Sequence, residues 1–249
     1  AYAPRFSPDG SELAWLEEGE EKTSLVVAKL AGGKRQVVAA FAEGISEYAW
    51  APDGRGFAIV KSDPEPEGDE LAPYVITRTV AQTDGGGYSD ERRTHLFWIE
   101  RGKSGAAKVR PLTSGPWDDS DVAISPDGKQ IAFVSNRHPD PDATDDTDLY
   151  VVSVVGGAPL QLPSGDGPDT EPAWSPAGDR LAYLSVRRAN DYYQPIRLAT
   201  IGVGVDAAPI DLTGGLDAWV ASDSWSAGTG PAAPIWTSGP KGGGLLVPL

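Results

Sequence analysis

The chain has 249 residues, 40% of them apolar and 23% charged, with 21 Lys plus Arg against 36 Asp plus Glu for a formal charge of −15. That composition belongs to a folded domain, and the negative charge repels phosphate backbones, so nucleic acid is not an expected partner. With no Cys, two His and no apolar run approaching about 18 residues, the sequence excludes disulfide scaffolds, Cys-ligated metals, a Cys nucleophile, His-rich metal sites and membrane-spanning helices.

In chain order, one pattern recurs. Pro4-Arg5-Phe6-Ser7-Pro8-Asp9-Gly10 leads into Leu13-Ala14-Trp15-Leu16, and Tyr48-Ala49-Trp50-Ala51-Pro52-Asp53-Gly54 into Phe57-Ala58-Ile59-Val60. Asp121 to Gly128 leads into Ile131-Ala132-Phe133-Val134, and Pro172 to Gly178 into Leu181-Ala182-Tyr183-Leu184. A degenerate fifth copy runs from Asp223 to Gly228. Pro followed by Gly reverses the chain tightly, because Pro sets φ and Gly accepts a positive φ. The strand after each turn is apolar on both faces, so it is covered on both sides. Its invariant Ala predicts a face that a neighbouring sheet approaches closely.

A third strand follows in each unit, at Ser24–Val27, His95–Ile99, Asp148–Val152 and Ile196–Thr200, with a short fourth ending near Val38, Leu112, Leu162 or Leu212. Four antiparallel strands per repeat, packed on both faces, predict an all-β chain: a β-propeller, or part of one, with about five four-stranded blades over 1–249. Successive copies are spaced 44, 74, 50 and 51 residues apart, so only the second unit is long. Its excess lies at about 63–94. It opens on an acidic, Pro-rich stretch, Asp63–Glu70, followed by a hairpin pattern in which Tyr74–Val80 turns through Asp84–Gly87 to Tyr88. The chain opens directly into a repeat at Ala1 without an initiator Met, which suggests a piece of a longer polypeptide.

Repeated Ser-Pro-Asp-Gly turns with Leu-Ala-Phe-like strands resemble the propellers of TolB-like proteins and of the prolyl oligopeptidase family of serine peptidases. The repeat alone does not separate the two. The insertion from Arg78 through Tyr88 to Phe97, and the stretch Phe133–Asp140, are similar to bacterial acylaminoacyl peptidases of that family. The resemblance covers the whole chain. It implies a non-catalytic propeller that caps the active site of an α/β-hydrolase domain and restricts entry to short peptides. It also implies that the Ser-His-Asp chemistry lies elsewhere, since this chain contains no Gly-x-Ser-x-Gly. Expected partners are that hydrolase domain and peptide substrates; a cytoplasmic location follows from the resemblance only. An unclosed propeller exposes strand edges, so self-association is a further expectation. The alternative is a stand-alone TolB-like binding propeller without enzymatic activity.

No catalytic residue, cofactor or metal site is expected within the chain. In the insertion, Arg78, Tyr88, Arg92 and Arg93 are the candidates for substrate contact or gating, because Arg binds carboxylates and carbonyls in bidentate fashion and an exposed Tyr offers a rigid contact. The competing reading pairs them with nearby carboxylates on the surface. His95 and His138 read as surface or turn residues, since no Ser stands in an elbow context. The run Asp140, Asp142, Asp145, Asp146, Asp148 fails the EF-hand pattern, with Asp145 where Gly is needed, and reads as a solvated charge run. A propeller glycosidase would need carboxylates converging at the central channel, which the sequence does not place. The eight Trp residues read as core packing.

Overall fold

The computed structural model describes residues 1–64, 82–83, 87–88, 92–102, 107–189, 191, 194–216, 220, 233–237 and 244–247, with only the backbone described at 82–83 and 87–88. These residues are β throughout, apart from one 3-10 turn at Pro141–Ala143. The first sheet holds β1 (Tyr2–Phe6), β2 (Glu12–Glu18), β3 (Thr23–Lys29) and β4 (Gln36–Phe41). The second begins with β5 (Glu47–Trp50) and β6 (Gly56–Ser62); a small hairpin of β7 (Gln82–Thr83) and β8 (Gly87–Tyr88) intervenes before β9 (Thr94–Glu100) and β10 (Lys108–Pro111) complete it. The third is β11 (Asp119–Ile124), β12 (Gln130–Ser135), β13 (Asp148–Ser153) and β14 (Leu160–Gln161). The fourth is β15 (Asp169–Trp174), β16 (Arg180–Ser185), β17 (Arg197–Gly202) and β18 (Ile210–Asp211), and a last pair, β19 (Ile235–Thr237) with β20 (Gly244–Leu246), follows. Strand β5 lies beside β11, β11 beside β15, and β15 beside β19. Neighbouring sheets therefore meet at their first strands, the inner strands of propeller blades. Over the described residues the propeller is an open one, and no helix there is long and apolar enough to cross a membrane.

The repeated turn is built from its own side chains. Gly10, Gly54, Gly128 and Gly178 take φ of 69 to 72°, and each donates its N–H to the carbonyl of the Ser or Ala three residues earlier. The Ser hydroxyl then clamps the hairpin. Ser7 Oγ donates to Asp9 at 2.7 Å and accepts Glu12 N–H at 2.9 Å; Ser125 repeats both contacts with Asp127 and Gln130. In the fourth blade Ala177 replaces that Asp, and Asp179 takes over the bond from Ser175 at 2.7 Å.

Strict alternation along each second strand assigns its two faces to two neighbours. Phe57 and Ile59 join the core shared with the first blade, whereas Ala58 and Val60 join the core shared with the third. Ile131 and Phe133 face backwards and Ala132 and Val134 forwards; Leu181 and Tyr183 repeat this against Ala182 and Leu184. All four repeat alanines, Ala14, Ala58, Ala132 and Ala182, are 0% exposed. Three of them share a core with the Trp of the next blade: Ala14 with Trp50, Ala132 with Trp174 and Ala182 with Trp236. A small side chain there leaves room for the indole.

The indoles also tie blade to blade. Trp50 Nε1–H donates to Arg5 O (3.2 Å), Trp174 to Ala123 O (3.1 Å) and Trp236 to Ala173 O (3.0 Å). Each acceptor stands two residues before the Ser of the preceding turn. The fifth copy expected at Asp223–Gly228, with Trp225, lies outside the described residues, as does Trp219. Trp236 on β19 makes the hydrogen bond that Trp50 and Trp174 make in their blades.

Candidate functional site

Two constellations stand out among the described residues, one on the inner strands and one at the root of the long insertion. Glu47, Asp121 and Glu171 occupy the same repeat position, four residues before Ala51, Ser125 and Ser175. Asp121 and Glu171 adopt the left-handed conformation, with φ of 51° and 53°, at irregularities in the β11–β12 and β15–β16 registers. A non-Gly residue there marks a bulge that re-aims its backbone amide. The carboxylate of one blade takes up the amide that the next blade turns towards it. Glu47 Oε2 accepts Val122 N–H at 3.2 Å, and Asp121 Oδ2 accepts Glu171 N–H at 2.9 Å.

Burial raises the pKa of all three, and the Asp121 charge adds to it at Glu47 and Glu171. Glu171 reaches about 7, driven first by burial and then by Asp121 and Glu47, with Arg5 offsetting part of the effect. The inner strands thus present an acidic, partly protonated surface suited to a cationic group. The sequence does carry the signal: three acids recur at one offset from the turn. The offset alone does not reveal that they face one another.

The insertion leaves the second blade between β6 and β9, and its neck is closed by two bonds: Asp63 N–H to Arg93 O at 2.7 Å and Arg93 N–H to Asp63 Oδ2 at 3.3 Å. The Arg93 guanidinium pairs with Asp118 at 3.0 Å, and Asp118 also accepts Thr94 N–H at 2.9 Å. Arg92 is half-buried and engaged. Arg78 lies outside the described residues, as does most of the acidic stretch after Pro64; Tyr88 is placed by its backbone in β8, and its side chain lies outside them. Of the four insertion candidates, the structure therefore locates Arg93 as a brace at the neck.

His95 is 4% exposed, not a surface residue. It lies between two carboxylates, with Nε2 3.5 Å from Asp63 and Nδ1 3.7 Å from Asp119. Asp119 is wholly buried and meets Arg137 at 2.8 Å. Burial alone would raise the Asp119 pKa, but His95, Thr113 and Arg137 together outweigh it and hold the group below its ordinary value. Arg137 in turn lies 4.6 to 5.2 Å from the ring centres of Trp117, Phe133 and Tyr150, a box that suits a weakly hydrated planar cation.

The run Asp140–Asp148 is not uniformly solvated. Asp140 is exposed, whereas Asp146 and Asp148 are buried beside His138. Burial, then the neighbouring Asp146 charge, pushes Asp148 up to about 6.

No protein-family profile matches the chain. It is 30% identical over 159 residues, 60% of this chain and 24% of the relative, to a Bacillus subtilis protein described as an uncharacterized peptidase, YuxL. It is 26% identical over 220 residues, 80% of this chain and 31% of the relative, to dipeptidyl-peptidase 5 of Porphyromonas endodontalis. Among solved structures, acylaminoacyl peptidase of Pyrococcus horikoshii superposes with a TM-score of 0.66 at 17% identity, covering 89% of this chain and 33% of that one. TolB of Acinetobacter baumannii superposes with a TM-score of 0.55 at 14% identity, covering 98% of this chain and 50% of that one. Fold and inner strands define the class, a β-propeller. The relatives indicate which kind it resembles: the chain is similar to the propeller segments of peptidases, its two curated relatives being described as peptidases. It spans about a quarter to a third of the length of the two curated relatives.

Proposed function

We propose that this chain is the non-catalytic propeller of an acylaminoacyl-peptidase-like serine oligopeptidase. It would pair with an α/β-hydrolase domain, cap that domain's active site and restrict access to short peptides, a gating role separate from bond cleavage. The observation that carries the reading is sequence identity to peptidases across most of the propeller. Arg78, Tyr88, Arg92 and Arg93 keep their proposed part in gating: Arg93 anchors the neck of the insertion through Asp63 and Asp118, and the others would face the entry path. The inner acids Glu47, Asp121 and Glu171 would line that path and favour substrates bearing cationic side chains. The bonds holding Glu47 and Asp121 to the next blade support a lining role over a paired acid–base role.

The second reading, a TolB-like binding propeller, draws on the superposition that covers 98% of this chain. A serine-directed fluorophosphonate probe separates the two. Applied to the natural full-length product, detected by an antibody to this domain, it labels a species larger than 26.1 kDa if the peptidase reading holds. A full-length product that never takes the label makes the binding propeller the answer.

A further inference from the structure

We propose that His138, Asp146 and Asp148 form a binding site for one divalent transition-metal cation of the zinc class, which fastens the rim of the third blade. One nitrogen, His138 Nε2, faces both carboxylates, at 3.2 Å from Asp146 Oδ2 and 3.6 Å from Asp148 Oδ2, and a ligand atom from each of the three lies within 4.8 Å of the others. Donors held about 2.0–2.2 Å from a common ion stand roughly 3.0–3.6 Å apart in adjacent positions, so these separations suit an ion at the centre. The other histidine is the internal control. His95 turns a different ring nitrogen to each of its two carboxylates, and that geometry cannot converge on one ion.

Three further observations suit a cation at this point. His138 Nε2 is out of contact with solvent and makes no hydrogen bond. Asp146 and Asp148 are 8% and 5% exposed, two buried like charges with no Lys or Arg paired to either among the described residues. Behind them lies Asp169, 1% exposed with neither carboxylate oxygen hydrogen-bonded. It is bonded in both directions to Thr147, the residue between the two ligands.

The donors are also held in place as ligands need to be. Gly167 N–H fixes Asp146 Oδ1 at 2.7 Å and Gln161 Nε2 fixes Asp148 Oδ2 at 2.8 Å. Asn136 shapes the loop, donating to Pro141 O and Thr144 O and accepting His138 N–H. The His138 ring is 35% exposed, while its Nε2 is turned inward to the two carboxylates. One imidazole with two carboxylates favours zinc over magnesium or calcium, which take all-oxygen sets.

The test uses the full chain, stripped with EDTA and titrated with zinc chloride at pH 7.5 by calorimetry and by thermal melting. One equivalent should bind, with a Tm rise of about 5 °C or more at a hundredfold excess over Kd. His138→Ala and Asp148→Asn should each abolish both. Metal-free Asp148→Asn should melt no lower than the metal-free parent, because a buried like charge has been removed, so its loss of zinc binding is separable from misfolding. Absence of saturable binding overturns the proposal, as does an undiminished equivalent in His138→Ala. Equal displacement by magnesium or calcium overturns the assignment to the zinc class.

Discussion

The third and fourth blades place an aspartate at the same point, six residues before the turn Ser, and treat it in opposite ways. Asp119 and Asp169 are 0% and 1% exposed. Each opens the inner strand of its blade, and each faces a second strand that ends in Ser, Ser135 or Ser185, with an Arg two residues later. In the third blade Arg137 folds back onto Asp119. In the fourth, Arg187 turns outward to Asp211, and Asp169 is left without a cation. The outcome is a carboxyl held below its ordinary value in one blade and one pushed up to about 7 in the other, chiefly by burial. A repeat can therefore conserve the position of a buried acid while its charge state is decided by where one arginine goes.

The largest effect should come from breaking the satisfied member. Arg137→Met leaves Asp119 buried and without its cation, and urea unfolding at pH 7 should show a loss of roughly 3–5 kcal/mol. Asp169→Asn should act in the opposite direction. Below about pH 4 both folded and unfolded Asp169 are protonated; between 3.8, its ordinary value, and about 7, the folded chain holds the proton that the unfolded chain releases. Stability therefore falls as pH rises through that window, and the whole penalty is present above it. The Asn variant, measured in EDTA, should match the parent near pH 4 and exceed it at pH 8 by on the order of 1–3 kcal/mol. An Asn variant as pH-sensitive as the parent would remove Asp169 as the source.

Where the blades share their chemistry, they should respond alike. Ala132→Leu and Ala182→Leu each crowd the indole of the following blade and should cost about 1–3 kcal/mol in chemical denaturation; a large difference between them would mean that the last strand pair is not seated as a blade. Smallest, Trp174→Phe and Trp236→Phe each delete one inter-blade hydrogen bond and should lower stability by about 1 kcal/mol, read as a shift in urea midpoint.

Much of this was legible from short-range pattern. Gly10, Gly54, Gly128 and Gly178 announce their turns, and the Leu-Ala-aromatic-aliphatic strands announce two covered faces, because a turn's φ and a strand's period of two are properties of a few consecutive residues. The inner acids were visible as a recurring offset but not as a set. The fifth copy at Asp223–Gly228 lies outside the described residues, and the part of Trp236 shows only in its hydrogen bond to Ala173 O. His95 and the pair Asp146 and Asp148 read as surface groups, because polarity is a property of the residue whereas burial is a property of the neighbours.

By itself the sequence determined the all-β repeat, the turn chemistry, the alternation that gives each strand one face for each neighbour, and the resemblance to peptidase propellers. Only the tertiary structure decided which charges meet. It sent Arg137 to Asp119 and Arg187 away from Asp169, set Glu47 and Asp121 against the amides of the next blade, and brought His138 to two buried aspartates. These pairings join residues from separate strands and loops, often of different blades. Their energies depend on burial and distance, which no local pattern encodes.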